Sequence, residues 1–331
     1  MKNLAVVILN WNGQKLLEQF LPSVLQHSEC ASIYVADNAS TDDSIAYIRA
    51  QFPQINIIQN QCNFGFAQGY NVALKRVQEP YLALVNSDIE VSENWLTPIE
   101  KIFIEQDQVA IIQPKILDFK DKSKFEYAGA AGGFIDQFGY PFCRGRIFDT
   151  VEQDLGQYND ETSIFWASGA CLFIRKSIFD LLQGFDSDFF AHQEEIDLCW
   201  RAKNLGHEIL YCPESTVYHV GGATLQEGNP QKTYLNFRNS LCMLTKNLPL
   251  GSLFPILFLR LVLDGLAGIQ FLFQGKGKHC WAIVQAHFGF YGLFLKMWEK
   301  RGRQQQKKYY KIKSVVYRYF IRKQQSYSEL L

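Results

Sequence analysis

Leu4–Gly13 reads LAVVILNWNG: six apolar residues in a row that stop abruptly at Asn10-Trp11-Asn12-Gly13. An unbroken apolar run of this length, without alternation, fits a strand covered on both faces. Gln14–Gln26 then takes helical spacing, with Leu16, Leu17, Phe20, Leu21 and Leu25 on one side. The same unit repeats. Ser32–Ala36 reads as a second strand, stopped by Asp37-Asn38-Ala39-Ser40, and Asp42–Gln51 as a helix. Ile55–Gln59, Phe66–Val77 and Tyr81–Val85 continue the series as strand, helix and strand. This alternation predicts an α/β fold with a mostly parallel sheet and helices on both faces. Ligands of such sheets bind outside the carboxyl ends of the strands, where Asn10, Asp37 and Asp88 fall.

Past this core the pattern loosens. Gln113–Asp160 is rich in glycine and aromatics without a clean period and reads as irregular strands and loops. Phe165–Arg175 reads as a strand whose Gly169 lets a ligand or backbone come close. Leu198, Ala202 and Leu205 share a helix face that stops at Gly206, and Ser215–Val220 reads as a short strand carrying His219. The texture changes after Asn247. We therefore divide the chain into a catalytic domain over 1–247 and a helical extension over 248–331, apolar first and basic later.

Composition narrows the class. An apolar share of 47% with 15% aromatics supports a large core and excludes a disordered chain. The net charge is zero, yet Lys296–Leu331 holds eleven Lys and Arg against two Glu, so the remainder is net acidic. Such a tail is ordinarily a solvated helix face; an anionic membrane surface is the sharper reading, and no nucleic-acid partner is expected. Eight cysteines lack zinc-like spacing, and Cys62, Cys171 and Cys199 fall in apolar or helical patterns as reduced core residues. The first apolar run is too short for a signal peptide. A cytoplasmic location follows. Leu248–Phe273 is apolar but carries Pro249, Pro255, Arg260 and Asp264, the last two spaced to pair. Lying in the membrane interface, peripheral on the cytoplasmic face, suits it better than crossing a bilayer. A helical pair packed on the catalytic domain is the alternative.

Two stretches carry the chemistry. Leu84–Glu90, LVNSDIE, ends a strand in Asn86-Ser87-Asp88, where Asp88 suits Mg2+ or Mn2+ on a nucleoside diphosphate and Asn86 is a weaker donor or a ribose contact. A strand-end aspartate also makes turns, so alone the signal is even. Phe189–His207 places Glu194, Glu195 and Asp197 at the start of a helix. Acids there favour the helix dipole, and Asp197 with Arg201 is an ordinary i, i+4 pair. Two adjacent acids after FFAHQ exceed what capping needs; one held in a water-poor cleft would serve as a general base. Asp37–Asp42 could be a turn and helix cap or could read a base or ribose, and Asn63–Ala67 could present backbone N–H groups to an anion. A lone histidine such as His219 is more often structural than a ligand. No GxGxxG follows the first strand and no GxxxxGK[ST] occurs, which argues against dinucleotide and P-loop enzymes.

Taken in order, VVILNWNG, VADNASTDDS, NFGFAQGYNVAL, LVNSDIE, WASGACLFIRK and GFDSDFFAHQEEIDLCWRAKNLGHEI resemble the inverting glycosyltransferases of family 2, especially the bacterial rhamnosyltransferase-like members. The resemblance spans roughly Leu4 to Leu248. It implies a GT-A fold, a nucleoside diphosphate sugar donor, a glycan or lipid-linked acceptor and a divalent cation. It puts Asn10 and Asp37 at the nucleotide with Asn63 and Gly65 nearby, Asp88 as the metal-binding acid, His219 as a further metal ligand, Glu195 as the base and Gly169 beside the donor sugar. Trp166 takes no role. Two positions depart from the family pattern: its DxD is Asn86-Ser87-Asp88, and its Glu-Asp pair is Glu194-Glu195. The expected activity is hexosyl or deoxyhexosyl transfer in cell-surface polysaccharide synthesis. A nucleotidyltransferase and a catalytically silent nucleotide-binding protein are the competing readings.

Overall fold

A computed structural model describes residues 2–221 and 228–331. The first half of the chain alternates strand and helix: β1 (Leu4–Asn10), α1 (Gln14–Gln26), β2 (Ser32–Asp37), α2 (Ser44–Gln51), β3 (Asn56–Gln59), α3 (Gly65–Ala73), β4 (Tyr81–Asn86), β5 (Ile89–Val91), α4 (Thr97–Glu105) and β6 (Val109–Asp118). Four short strands follow: β7 (Gly133–Ile135), β8 (Pro141–Cys143), β9 (Arg146–Ile147) and β10 (Thr150–Val151). Next come β11 (Thr162–Ser163), β12 (Cys171–Arg175), α5 (Lys176–Leu181), α6 (Glu194–Asn204) and β13 (Glu208–His219). The described chain closes with α7 (Pro230–Asn247), α8 (Leu250–Phe273), α9 (Gly277–Glu299) and α10 (Tyr327–Leu330).

The main sheet runs β11-β13-β6-β12-β4-β1-β2-β3, with β5 added on β13. β1 is parallel to β2 and β4, β2 to β3 and β13 to β6, while β12 runs antiparallel between β4 and β6. Alternate side chains of β1 enter opposite layers, as strand geometry requires. Ala5 and Val7 join a core with Tyr70 and Trp200; Leu4, Val6 and Ile8 join another with Leu17, Trp95 and Phe103. Both faces are therefore covered, which is why the strands read as continuous apolar runs.

Several local readings shift. The second helix starts at Ser44 because the Asp42 carboxylate accepts the N–H groups of Gln14 and Ser44, fixing a turn first. The helix expected over Phe66–Val77 ends at Ala73 and tightens into a 3₁₀ turn, Leu74–Arg76. Of the expected Phe165–Arg175 strand, Cys171–Arg175 joins the main sheet and Trp166 makes an isolated bridge to Gly133, while Ser215–His219 is the end of the long β13, whose register shifts between Cys212 and Thr216. The irregular middle holds a small sheet, β10-β9-β8-β7. Cys171 and Cys199 are buried thiols as expected, but Cys62 is exposed.

The basic tail is not a free helical face. Tyr309, Ile312, Val315, Tyr327 and Leu330 are buried, and the tail backbone bonds to the small sheet through Lys311 N–H to Ile135 O and Gln137 N–H to Ile312 O. Buried apolar positions interleaved among the Lys and Arg decide this, and net charge does not report them. Before the tail, α8 and α9 form a hairpin against α7. Arg260 and Asp264 point inward: Arg260 donates to Phe138 O, Gly139 O and Ser240 Oγ, and stacks 3.9 Å from the Tyr140 ring centre. The outer stripe of α8 exposes Leu250, Phe254, Phe258, Val262, Leu266, Ile269 and Phe273. By length and composition α8, with a mean hydropathy of 1.9, could also cross a membrane.

Candidate active site

Side chains at the carboxyl ends of β1 and β2 make the first corner. Asn10 Nδ2 donates to Asp37 Oδ1 at 3.0 Å and to Ser40 Oγ at 3.1 Å, and Asp37 in turn accepts the Ser40 N–H. Asn10 Oδ1 is buried without a partner beneath Gly13, where a Cβ would stand 2.4 Å from it. An unsatisfied buried acceptor costs free energy unless a ligand donates to it. Beside this corner Asn60 donates to Asn38 Oδ1 and Asn38 donates to Gly65 O, tying β2 to the start of α3.

The end of β4 meets the loop before β12 where Asn86 N–H donates to Ala170 O at 2.9 Å. Asp88 follows, buried, with Oδ1 3.2 Å from His219 Nε2 at the end of β13. The other ring nitrogen of His219 lies 3.2 Å from Glu126 Oε1. Burial disfavours a charged imidazole here, but the two carboxylates outweigh it and push His219 up to about 10. Glu126 was not singled out from sequence, since nothing in KFEYAG sets it apart. Its N–H donates to Ile116 O on β6, the strand that pairs with the end of β13, and this brings it to His219.

The donor chemistry fits a divalent cation in part. One carboxylate and one imidazole at neighbouring strand ends suit a cation whose remaining ligands arrive with a diphosphate, provided that the cation displaces the His219 proton as it binds. Among the described residues, no three acid, histidine or cysteine side chains converge on one point to form a closed cage.

The third corner is the entry to α6. The chain from Phe190 to Gln193 carries three non-glycine residues in positive φ: Phe190 (64°), His192 (69°) and Gln193 (73°). Phe190 has ψ −60° and centres a γ-turn closed by Ala191 N–H to Phe189 O at 2.8 Å. Such conformations cost about 1–3 kcal/mol each and persist only where surroundings enforce them. The surroundings here are specific. Phe190 O accepts the N–H groups of Phe66 and Ala67, and the Phe190 ring occupies the space a Cβ on Gly65 would need, 2.6 Å away. Gly65 itself is at φ +72°. The N–H groups expected to face an anion are thus spent: Gly65 N–H goes to Asn63 Oδ1, and the next two go to Phe190. The NFGF motif anchors the acid-bearing turn.

Glu194 is buried and Glu195 keeps partial access to solvent. In each carboxyl, Oε2 is buried without a hydrogen-bond partner. Burial raises Glu195 to about 7. Burial, with the negative charges of Glu195 and Asp197, raises Glu194 well above the usual carboxylate range. Glu195 borders Gly169, whose missing Cβ would sit 3.8 Å from that of Glu195. Asp197 behaves oppositely. It is buried too, but Lys246 Nζ at 2.8 Å, Arg201 Nε at 2.7 Å and Asn247 Nδ2 at 2.8 Å hold it below the usual range. The expected ion pair with Arg201 is present, and Lys246 is an added partner. Trp166 is interior, its Nε1 donating to Phe134 O.

The comparisons agree with this architecture. The family model for glycosyl transferase family 2 matches residues 5–182, more than half of the chain. The chain belongs to that family. An N-acetylglucosaminyl-diphospho-decaprenol L-rhamnosyltransferase of Mycobacterium tuberculosis is 24% identical over 65% of this chain and 75% of its own length. The rhamnosyltransferase WbbL of Escherichia coli is 25% identical over 65% of this chain and 82% of its own. The low-salt glycan biosynthesis hexosyltransferase Agl10 of Haloferax volcanii is 22% identical over 87% and 89%. Among solved structures, GalNAc-T7 with UDP, GalNAc and Mn2+ superposes with a TM-score of 0.58 at 16% identity, covering 75% of this chain and 48% of that one. The mannosyltransferase PcManGT of Pyrobaculum calidifontis, in complex with GDP-Man and Mn2+, gives 0.53 at 14%, covering 90% and 88%. At these identities the structures establish the fold, a GT-A glycosyltransferase fold with a C-terminal helical part.

Proposed function

We propose that this chain transfers a hexosyl or deoxyhexosyl group, with inversion, from a nucleoside diphosphate sugar to a hydroxyl of a lipid-linked glycan, in the synthesis of a cell-surface polysaccharide. The observation that carries the reading is Glu195: a carboxylate bordering Gly169, partly open to solvent, with one oxygen unpartnered and its proton affinity raised to about 7. That is the poise a general base needs near neutral pH. Glu195 takes the acceptor's hydroxyl proton as the oxygen forms its bond to the anomeric carbon. The bond from that carbon to the diphosphate breaks on the opposite face, and the diphosphate leaves with the electron pair. Asn10, Asp37, Asn63, Gly65 and Asn86 line the nucleotide side, with Asn10 Oδ1 as an acceptor for a donor group of the base or ribose. Gly169 leaves space for the sugar. Asp88 and His219 would hold Mg2+ or Mn2+, which when bound neutralises charge on the leaving diphosphate. Positioning of the acceptor contributes much of the remaining acceleration.

The relatives named above, one for a decaprenol-diphosphate substrate, support a lipid-linked acceptor. The apolar stripe of α8, with Lys276 and Lys278 at the turn into α9, supports binding in the plane of an anionic cytoplasmic membrane surface. The test is product analysis. Nucleoside diphosphate sugars are offered with a prenyl-diphosphate glycan, and the product's anomeric configuration is read by NMR. An inverted glycoside supports the proposal. Pyrophosphate release from a nucleoside triphosphate without glycoside would replace it with nucleotidyl transfer, and donor binding without turnover on any acceptor would leave a silent binding protein.

A further inference from the structure

We infer that Asn239, on α7, is a positioning residue for Glu195: its amide ties down the strained turn that aims the carboxylate. The inference rests on Glu195 being the base. Asn239 is almost fully buried, and its Nδ2 lies 2.9 Å from Phe189 O, 2.9 Å from Ala191 O and 2.8 Å from His192 O. The carbonyl between them, Phe190 O, is held from the other side by the start of α3. Four consecutive carbonyls are thereby gripped from two helices, across the residues with positive φ.

The amide's orientation is itself set. Arg238 Nε donates to Asn239 Oδ1 at 2.8 Å, leaving the NH2 group to face the turn, and Arg238 also donates to Asp188 O and Phe189 O. Two helical turns further along α7, Lys246 and Asn247 hold Asp197, so α6 is attached to α7 just before and just after the two glutamates. Between these attachments Glu194 and Glu195 each have an oxygen without any partner. With that oxygen unpartnered and the hydrogen bonds to the Glu195 carboxyl coming from backbone N–H groups at the start of α6, the carboxylate takes its direction from that backbone. Whatever fixes that backbone fixes the base. A displacement of about 1 Å in such a group can cost on the order of 100-fold in rate.

The strain alone would not keep the turn in place, because a positive φ at Phe190, His192 and Gln193 relaxes once its anchors go. The apolar packing of α7 through Leu235, Leu241, Met243 and Leu244 does not depend on Asn239, so its replacement leaves the helix docked.

The experiment compares Asn239→Ala, Ser240→Ala and Glu195→Gln in the full chain, reading kcat, donor dissociation constant and Tm. Ser240 is the adjacent buried polar residue of α7, bonded to Arg260, and serves as a control for stability loss. We expect Asn239→Ala to lower kcat on the order of 100-fold with the donor constant within about threefold, and Ser240→Ala to retain kcat at a similar Tm. Asn239→Ala with a kcat equal to that of Ser240→Ala, beside an inactive Glu195→Gln, overturns the clamp alone. Parallel loss of donor binding in Asn239→Ala also overturns it, as general damage. An active Glu195→Gln beside an impaired Asn239→Ala overturns the base assignment, and with it the clamp as a device for that base.

Discussion

At the entry to α6, Glu194 is buried and Glu195 half-buried, with no cation paired to either among the described residues, whereas Asp88 and Glu126 face each other across His219. Burial acts on both corners. In the first it outweighs the backbone hydrogen bonds that oppose it, raising Glu195 to about 7 and Glu194 well above the usual carboxylate range. In the second the opposite charges outweigh it, and the imidazole stays protonated far above its ordinary value. The same contrast exists within one helix, since Asp197 is held low by Lys246 and Arg201 two residues beyond Glu195. The presence or absence of a cation, more than the depth of burial, separates a carboxyl suited to moving protons from one suited to fixing charge.

Replacing the unpaired base has the largest expected effect. Glu195→Gln should lower kcat by roughly 1,000-fold or more while donor affinity stays near wild type, because the amide keeps the shape and loses only the proton acceptor. Calorimetric donor binding measured beside the rate checks this, and joint loss of both would make Glu195 structural. Asp88→Ala strikes the paired corner and should cost about 100-fold, accompanied by loss of metal-dependent donor binding. Binding that ignores chelator in wild type and variant alike would remove the metal from the mechanism. Glu126→Gln leaves Asp88 and His219 in place and should cost about 10-fold, as second partners of histidine ligands do. A wild-type rate there would reduce Glu126 to a packing role.

The smallest effect is on stability. A carboxyl raised in the folded state binds more protons than the unfolded chain between its two pKa values. Its favourable contribution is therefore complete below about 4.5, the ordinary glutamate value, and is lost as pH rises through about 7. Glu195→Gln should raise Tm by a few degrees at pH 8 and change it little at pH 4. Equal shifts at both pH values would mean that the buried acid is not what destabilises the neutral protein.

The expected sequence order of strands and helices is present from Leu4 to Asn86, because fully covered parallel strands write themselves as uninterrupted apolar runs. The strand-end residues Asn10, Asp37, Asn86 and Asp88 were legible for the same reason. Less legible was everything whose meaning lies in a partner far along the chain. NFGF looked like an anion-binding helix start, yet the N–H groups of Phe66 and Ala67 donate to Phe190 O, more than a hundred positions away. The basic tail looked solvent-facing, yet Tyr309, Ile312 and Tyr327 bury against the small sheet and its neighbours. Arg260 and Asp264 looked like a break in an apolar segment; they face inward and leave the outer stripe of α8 uninterrupted.

By itself the sequence determined the covered sheet, the edge where its polar residues gather and the acids that gather there, since each follows from local periodicity and from side-chain chemistry. The tertiary structure alone decided which acids remain unpaired. Lys246, on α7, reaches Asp197 while no cation among the described residues pairs with Glu195, and Asn239 holds the turn that precedes both acids. Proton affinity depends on charges within a few ångströms, and only folding sets those distances.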